Sequence, residues 1–319
     1  MKIYITGHIS PDLDSIAAAV EYTEFLKERG RYEDAQIIPV RSGEPNKETL
    51  FVFEKFGVEM PKALDDCEIS PEDKFILVDH NEEAQRHDKV AAEQILEIVD
   101  HHKINVNFFF PIVISIKPYG STSTIIYEQF ETQGVTPSKG MSGLILAAIL
   151  SDTQGLKSST TTDYDTKTAK KLAQELGEDL EELTFDIFKA KSDLSELSAE
   201  EIVRKDSKVF NFGGKKIFIN QIETVEPEKV LAEKEKIVSA LEEIKVQDAL
   251  DLAYCVVTDI LKATSQVIYS STEKDKKVLE EAFSGVGESN LIDIGERTSR
   301  KKDIAPAIEK VMWFDRITK

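Results

Sequence analysis

Apolar runs too short for helices alternate, through the first half of the chain, with segments of helical period. Lys2 to Thr6 (Lys-Ile-Tyr-Ile-Thr) is a β-rich run ending at Gly7; Ser15 to Arg29 then places Ile16, Ala19, Val20 and Leu26 at helical spacing before Gly30, a natural C-cap. The alternation continues with a strand at Ala35 to Val40, a helix from Asn46 to Phe56 stopped by Gly57, and strands at Lys74 to Val78 and Ile95 to Val99. Pro111 to Lys117 is strand-like, Gly120-Ser121-Thr122 opens a helix from about Ser123 to Phe130, and Met141 to Leu150 is apolar all round, as a buried helix would be. Charged helices come next, at Thr166 to Gly177 and Leu180 to Lys189. Strands alternating with helices in this way predict a parallel sheet covered by helices.

The pattern breaks at Lys191 to Ser198, a polar stretch that reads as a linker between a first domain at 1–190 and a second at 199–319. Beyond it, Ser207 to Phe212 and Lys215 to Gln221 alternate on either side of Gly213-Gly214, a hairpin signal. Glu226 to Ile244 reads as one long charged helix, Leu252 to Thr258 and Gln266 to Ser270 as strands, and Glu273 to Phe283 as a helix. Leu291 to Ile294 leads into Ser299-Arg300-Lys301-Lys302. The fold class is therefore α/β, with a smaller α/β domain after the first.

A formal net charge of -19 over 319 residues argues against general binding to nucleic acid or to anionic membranes. A small anionic substrate is still admissible, because a local basic cluster can bind it. The two cysteines, Cys67 and Cys255, are far apart in sequence and suggest neither a disulfide framework nor a thiolate metal site, which fits a reducing cytoplasm. The chain enters its first strand without a signal peptide, and no apolar run approaches a membrane span.

Chemistry concentrates where strands end. Of five histidines, four lie in polar clusters there: His8 with Asp12 and Asp14, His80 beside Asp79, and His101 and His102 after Asp100. Asp152 adds a carboxylate after the apolar helix, and His87, in Arg-His-Asp, is expected on the solvated surface. Carboxylates converging without cations would repel one another. Two divalent metals remove that conflict: a shared carboxylate can hold them about 3.5 to 4 Å apart, where they activate a bridging water and steady an in-line phosphoryl displacement. Imidazole among the ligands shifts preference from magnesium toward manganese or cobalt.

Together, Gly-His-Ile-Ser-Pro-Asp-Leu-Asp-Ser at 7–15, Val-Asp-His-Asn-Glu at 78–82, Asp-His-His at 100–102, Gly-Ser-Thr at 120–122, Ser-Asp-Thr at 151–153 and Ser-Arg-Lys-Lys at 299–302 resemble the motifs of the manganese-dependent (family II) inorganic pyrophosphatases of the DHH phosphoesterase superfamily. The resemblance spans nearly the whole chain in order. It implies an N-terminal DHH domain, a smaller C-terminal substrate-binding domain, and an active site in the cleft between them. It further implies that His8, Asp12 and Asp79 bind one manganese and Asp14, Asp79, His101 and Asp152 the other, with Asp79 bridging. His102 would contact substrate and protonate the leaving phosphate, and Lys208, Arg300 and Lys301 would grip pyrophosphate. Cobalt or magnesium would substitute for manganese, and a homodimer joined through the N-terminal domains is expected. A relative cleaving polyphosphate or nucleotide phosphodiesters is the alternative; it would share the N-terminal chemistry and differ in the C-terminal domain. No insertion between Gly57 and Asp79 is long enough for a nucleotide-sensing module, which argues against adenine-nucleotide control. Ser10 and Leu13 stand where the family commonly has Asn and often Thr, between ligands and with little expected consequence. Gly155 is expected to loosen the segment beside Asp152.

Overall fold

The structure, a computed structural model, describes residues 1–317. The chain divides into two compact units, Met1–Lys191 and the remainder from Ser192. In the first, strands β1 (Lys2–Thr6), β2 (Gln36–Arg41), β3 (Lys62–Ala63), β4 (Lys74–Val78), β5 (Ile95–Asp100) and β6 (Val113–Ile116) form a six-stranded sheet in the order β3-β2-β1-β4-β5-β6. Every pairing in it is parallel. The helices are α1 (Leu13–Glu28), α2 (Lys47–Phe56), α3 (Thr122–Thr132), α4 (Lys139–Asp152), α5 (Asp163–Leu176) and α6 (Leu180–Lys191).

Period-2 alternation sends Ile3, Ile5, Ile76 and Val78 to one face of the sheet, against Ala18, Tyr22 and Leu26 of α1 and Ile125 and Phe130 of α3. The opposite residues, Tyr4, Phe75, Leu77 and Ile98, pack against Leu64 of a 3-10 turn and against Val90, Val106 and Phe108 of irregular segments. Among the described residues of this unit the helices lie on one face of the sheet, because the connections from β3 through β6 contain no α-helix. Helix α4 is buried along almost its whole length among residues of α1, α2, α5 and α6, which explains its apolar circumference. Parallel strands all end on one edge of the sheet. The residues after β1, β4 and β5 are consequently neighbours although far apart in sequence.

The second unit contains α7 (Ala199–Lys205), β7 (Ser207–Phe212), β8 (Lys215–Thr224), α8 (Pro227–Ala232), α9 (Lys234–Gln247), β9 (Leu252–Asp259), β10 (Thr264–Tyr269), α10 (Glu273–Phe283), β11 (Leu291–Gly295) and α11 (Ala305–Ile317). Its mixed sheet runs β11-β10-β9-β8-β7, with β8 and β9 parallel and the other pairs antiparallel. Gly213 and Gly214 both take positive φ, 61° and 80°, as the two-residue β7–β8 hairpin demands. Three differences from the sequence pattern stand out. The single helix expected over Glu226 to Ile244 is two, interrupted at Glu233. Helix α6 continues through Lys191, the first residue assigned to the linker, and α7 begins directly after Ser198, whose side chain and that of Glu201 form a reciprocal capping box.

Candidate metal centre

The C-terminal edge of the parallel sheet gathers the predicted ligands. Asp12 is the N-cap of α1, its Oδ1 accepting from Ser15 N at 3.0 Å, so the acid caps the helix and also faces the cluster. Gly7 is required in the turn, since a Cβ there would stand 2.0 Å from Ser15 Oγ. Asp79, directly after β4, holds a left-handed backbone with φ 60°, and the His80 ring Nδ1 bonds to the Val78 carbonyl across it at 2.9 Å. In that conformation the Asp79 carboxylate points two ways. Its Oδ2 lies 3.4 Å from His8 Nε2 and its Oδ1 3.4 Å from His101 Nε2. His8 Nε2 is also 3.7 Å from Asp12, and His101 Nε2 3.8 Å from Asp152.

Two sets therefore have their ligand atoms within 4.8 Å of one another and share Asp79: His8, Asp12 and Asp79, and Asp14, Asp79, His101 and Asp152. In each histidine Nδ1 is engaged by a carbonyl, Ile9 O at 2.8 Å for His8 and Tyr119 O at 3.0 Å for His101. That fixes the tautomer and leaves Nε2 facing the carboxylates. A third grouping, Asp79, His101 and His102, is geometrically possible. His102 Nδ1, however, is taken by the buried Asp100 at 2.9 Å, which sets this ring apart from the ligands. Neutral, wholly buried His80 belongs to none of the sets.

Behind the ligands stands a layer of donors, begun by the Gly-Ser-Thr motif at 120–122, whose role the sequence did not assign. The start of α3 is aimed at Asp14: Ser121 Oγ (2.7 Å), Thr122 N (2.7 Å), Ser123 N (3.0 Å) and Ser123 Oγ (2.6 Å) all donate to its carboxylate. Thr122 Oγ1 donates to Asp79 Oδ1 at 3.1 Å. A helix N-terminus with its hydroxyls is a natural anion holder, so these acids stay placed although no water reaches them. Asp165 of α5 pins the turn, accepting from Gly120 N and Thr124 Oγ1 at 2.9 and 2.6 Å. Gly120 has no room for a side chain, as a Cβ would stand 2.5 Å from Thr153 Cγ2.

The electrostatics are those of a cation site. Burial and the nearby Asp79 push the Asp14 carboxyl up to about 6, and burial with Asp14, Asp12 and Asp79 raises Asp152 well above the carboxylate range. Asp79 moves the other way: burial opposes its charge, but His101 and His8 outweigh burial and hold it low. The same contest, burial against Asp12 and Asp79, leaves His8 raised to about 11, and burial against Asp79 and Asp14 leaves His101 raised to about 9. Bare, the cluster must borrow protons to offset its acids. Divalent cations would displace those protons, and the donors, carboxylate oxygens with one imidazole per set, suit manganese.

The cationic residues expected at the substrate lie in the second unit. Lys208, on β7, pairs in register with Ile219, whose carbonyl is 3.4 Å from Arg300 Nη1, so the two belong to one patch. Arg300 also binds Asp206, through its carbonyl at 2.6 Å and Oδ1 at 2.7 Å. Lys301 comes next, on the exposed side of a π-helical turn, Arg300–Ile304. Two expectations fail. His87 is not a solvated surface residue: its side chain is 13% exposed, with Nε2 3.3 Å from Asp65. Gly155 does not loosen the chain beside Asp152; with φ 65° it donates from N to Leu150 O at 2.7 Å and closes the end of α4.

Fold and centre together define a class: residues 2–149 match the DHH family, N-terminal domain, and residues 186–311 the DHHA2 domain. The chain is 38% identical over 309 residues to the manganese-dependent inorganic pyrophosphatase of Methanothrix thermoacetophila, covering 97% of each chain. It is 37% identical to that of Methanocaldococcus jannaschii, covering 96% of this chain and 98% of the relative. The crystal structure of a Methanococcus jannaschii putative family II inorganic pyrophosphatase superposes with a TM-score of 0.61 at 37% identity, over 97% of this chain and 99% of the other. The chain belongs to the manganese-dependent inorganic pyrophosphatase family. A Bacteroides fragilis exopolyphosphatase-related protein, 17% identical with a TM-score of 0.52 over 99% of this chain and 93% of the other, shares the fold.

Proposed function

We propose that this enzyme hydrolyses inorganic pyrophosphate to two phosphates at a dinuclear manganese centre, with cobalt or magnesium as substitutes. The observation that carries the mechanism is Asp79, a buried carboxylate with one oxygen turned to each ligand set. His8, Asp12 and Asp79 would hold one ion and Asp14, Asp79, His101 and Asp152 the other. Bound there, the ions supply Lewis acidity and a water acidic enough to attack phosphorus at neutral pH. The rest falls to side chains. The Asp100 hydrogen bond raises the His102 pKa and fixes its Nδ1, so Nε2 is the atom that would pass a proton to the departing phosphate. Lys208, Arg300 and Lys301 offset charge on pyrophosphate, Arg300 by two-point contact. All three lie in the C-terminal domain, which begins after a linker at about 191–198.

The chain is proposed to act as a cytoplasmic homodimer joined through its N-terminal domains. Edge strand β6 supports such a joint, being unpaired on its outer side with Val113 and Ile114 50% and 41% exposed. Cys67 and Cys255 are both free, in keeping with a reducing compartment, and no helix among the described residues is long and apolar enough to cross a membrane. Neither nucleic acid nor membrane is proposed as a partner. Phosphate release from pyrophosphate, tripolyphosphate and a cyclic dinucleotide, each with manganese or magnesium, tests the activity. Pyrophosphate with manganese should be turned over far faster than the others; equal or better turnover of tripolyphosphate or of the dinucleotide would assign the chain to the polyphosphatase or phosphodiesterase branch.

A further inference from the structure

A second charged group adjoins the centre, outside both ligand sets. Glu48, in the first turn of α2, is fully buried, which an isolated carboxylate would not tolerate. Its oxygens are satisfied by three elements: Oε2 accepts from Ser151 Oγ at 3.0 Å, while Oε1 accepts from Asn46 Nδ2 at 3.1 Å and pairs with Lys191 Nζ at 3.2 Å. Ser151 immediately precedes the ligand Asp152 at the end of α4, and Lys191 is the last residue of α6. The pair thus ties the ends of α4 and α6 to the start of α2 beside the metal ligands. Burial opposes the Lys191 charge, yet Glu48, Asp152 and Asp12 outweigh it and raise the pKa, so the ammonium lies within the field of both ligand sets.

We infer that the Glu48–Lys191 pair tunes manganese affinity: Glu48 anchors a fixed positive charge beside Asp152 that weakens metal binding there, keeping the ion exchangeable. This rests on the dinuclear reading above. Lys191 is a tuning residue and touches neither metal nor substrate. Its effect is moderate, because the side chain is 45% exposed and solvent screens it. A purely structural role would make every disruption of the pair weaken binding. An electrostatic role gives opposite signs, which separates the two.

The test is a charge cycle read by manganese titration with electron paramagnetic resonance, at low and high salt. Lys191→Gln should bind the weaker of the two manganese ions about threefold to tenfold more tightly than wild type. Glu48→Gln, which leaves the ammonium unopposed and keeps an amide oxygen for Ser151, should bind it more weakly. The double variant, with both charges gone, should bind more tightly than wild type but less tightly than Lys191→Gln, while Lys191→Arg should stay within about twofold of wild type. Added salt should shrink the Lys191→Gln effect. Weaker or unchanged binding in Lys191→Gln, or weakening in all variants alike, would overturn the tuning role while leaving the centre intact. Failure of wild type to take up a second manganese would remove the centre itself and the inference with it.

Discussion

The two units handle charge in opposite ways. In the first, Asp14 and Asp79 are buried carboxylates held by hydroxyls and helix N–H groups of α3. In the second, Lys208 and Lys301 are exposed, and Arg300 leans on Asp206, whose side chain is 61% exposed. A divalent ion needs a rigid, dehydrated set of donors, and assembling one means folding acids into the interior beforehand. Gripping an anion that arrives and leaves needs cations that stay hydrated between visits and give up weak partners easily. Preorganisation therefore belongs to the metal side and adaptability to the phosphate side.

The sharpest way to break this contrast is Asp79→Ala. Removing the shared carboxylate leaves two cations facing each other with less negative charge between them, and turnover should fall by about a thousandfold or more, with loss of at least one tight manganese by elemental analysis. Two tightly bound ions with wild-type activity in that variant would refute the shared ligand. Arg300→Ala probes the other side. It should lower kcat by about a hundredfold with manganese affinity near normal, since no ligand is touched. A loss of manganese affinity with turnover preserved would move Arg300 into the metal scaffold.

A smaller effect is expected from Ser123→Ala, which deletes one of four donors to Asp14 while the Ser123 N–H remains. Manganese affinity should drop by about tenfold, as for other groups that orient metal ligands, and pyrophosphate KM should scarcely change. A change in KM without a change in affinity would contradict the layered arrangement. A last effect, on stability rather than on metal or turnover, concerns Glu21, buried in α1 with neither carboxyl oxygen hydrogen-bonded. Burial, then the charge of Asp14, raises its pKa well above the usual value. The folded chain thus keeps a proton that the unfolded chain loses above about pH 4.3. Stability of the metal-free protein should fall as pH rises through the neutral range, with Glu21 contributing up to about 1.4 kcal/mol per pH unit. Glu21→Gln should remove that contribution in urea melts at pH 5 and pH 8; an unchanged slope would mean that Glu21 is ionised.

Much of the centre was legible because its ligands come directly after β1, β4 and β5, and parallel strands bring the residues beyond their C-terminal ends to one edge. The supporting layer was hidden for a different reason. The motif at 120–122 marks Ser121 and Thr122 but not their task, which needs Asp14 beneath them, and Glu48 and Lys191 look like solvated helix charges until α2, α4 and α6 meet. Strand β3 is two residues long and leaves no period to detect. Helix α7 did carry a signal, Ser198 three residues before Glu201, which the polar composition of the stretch concealed. The break at Glu233 had none, since charges continue through it. His87 was misjudged because its ion-pair partner Asp65, in the 3-10 turn Leu64–Asp66, is remote in sequence.

A shared Asp79 is tested most directly by electron paramagnetic resonance of the enzyme loaded with two equivalents of Mn2+. Ions bridged by one carboxylate should give an exchange-coupled multiline spectrum in wild type that disappears in Asp79→Ala. Two bound ions giving only independent six-line signals in wild type would contradict a bridging Asp79.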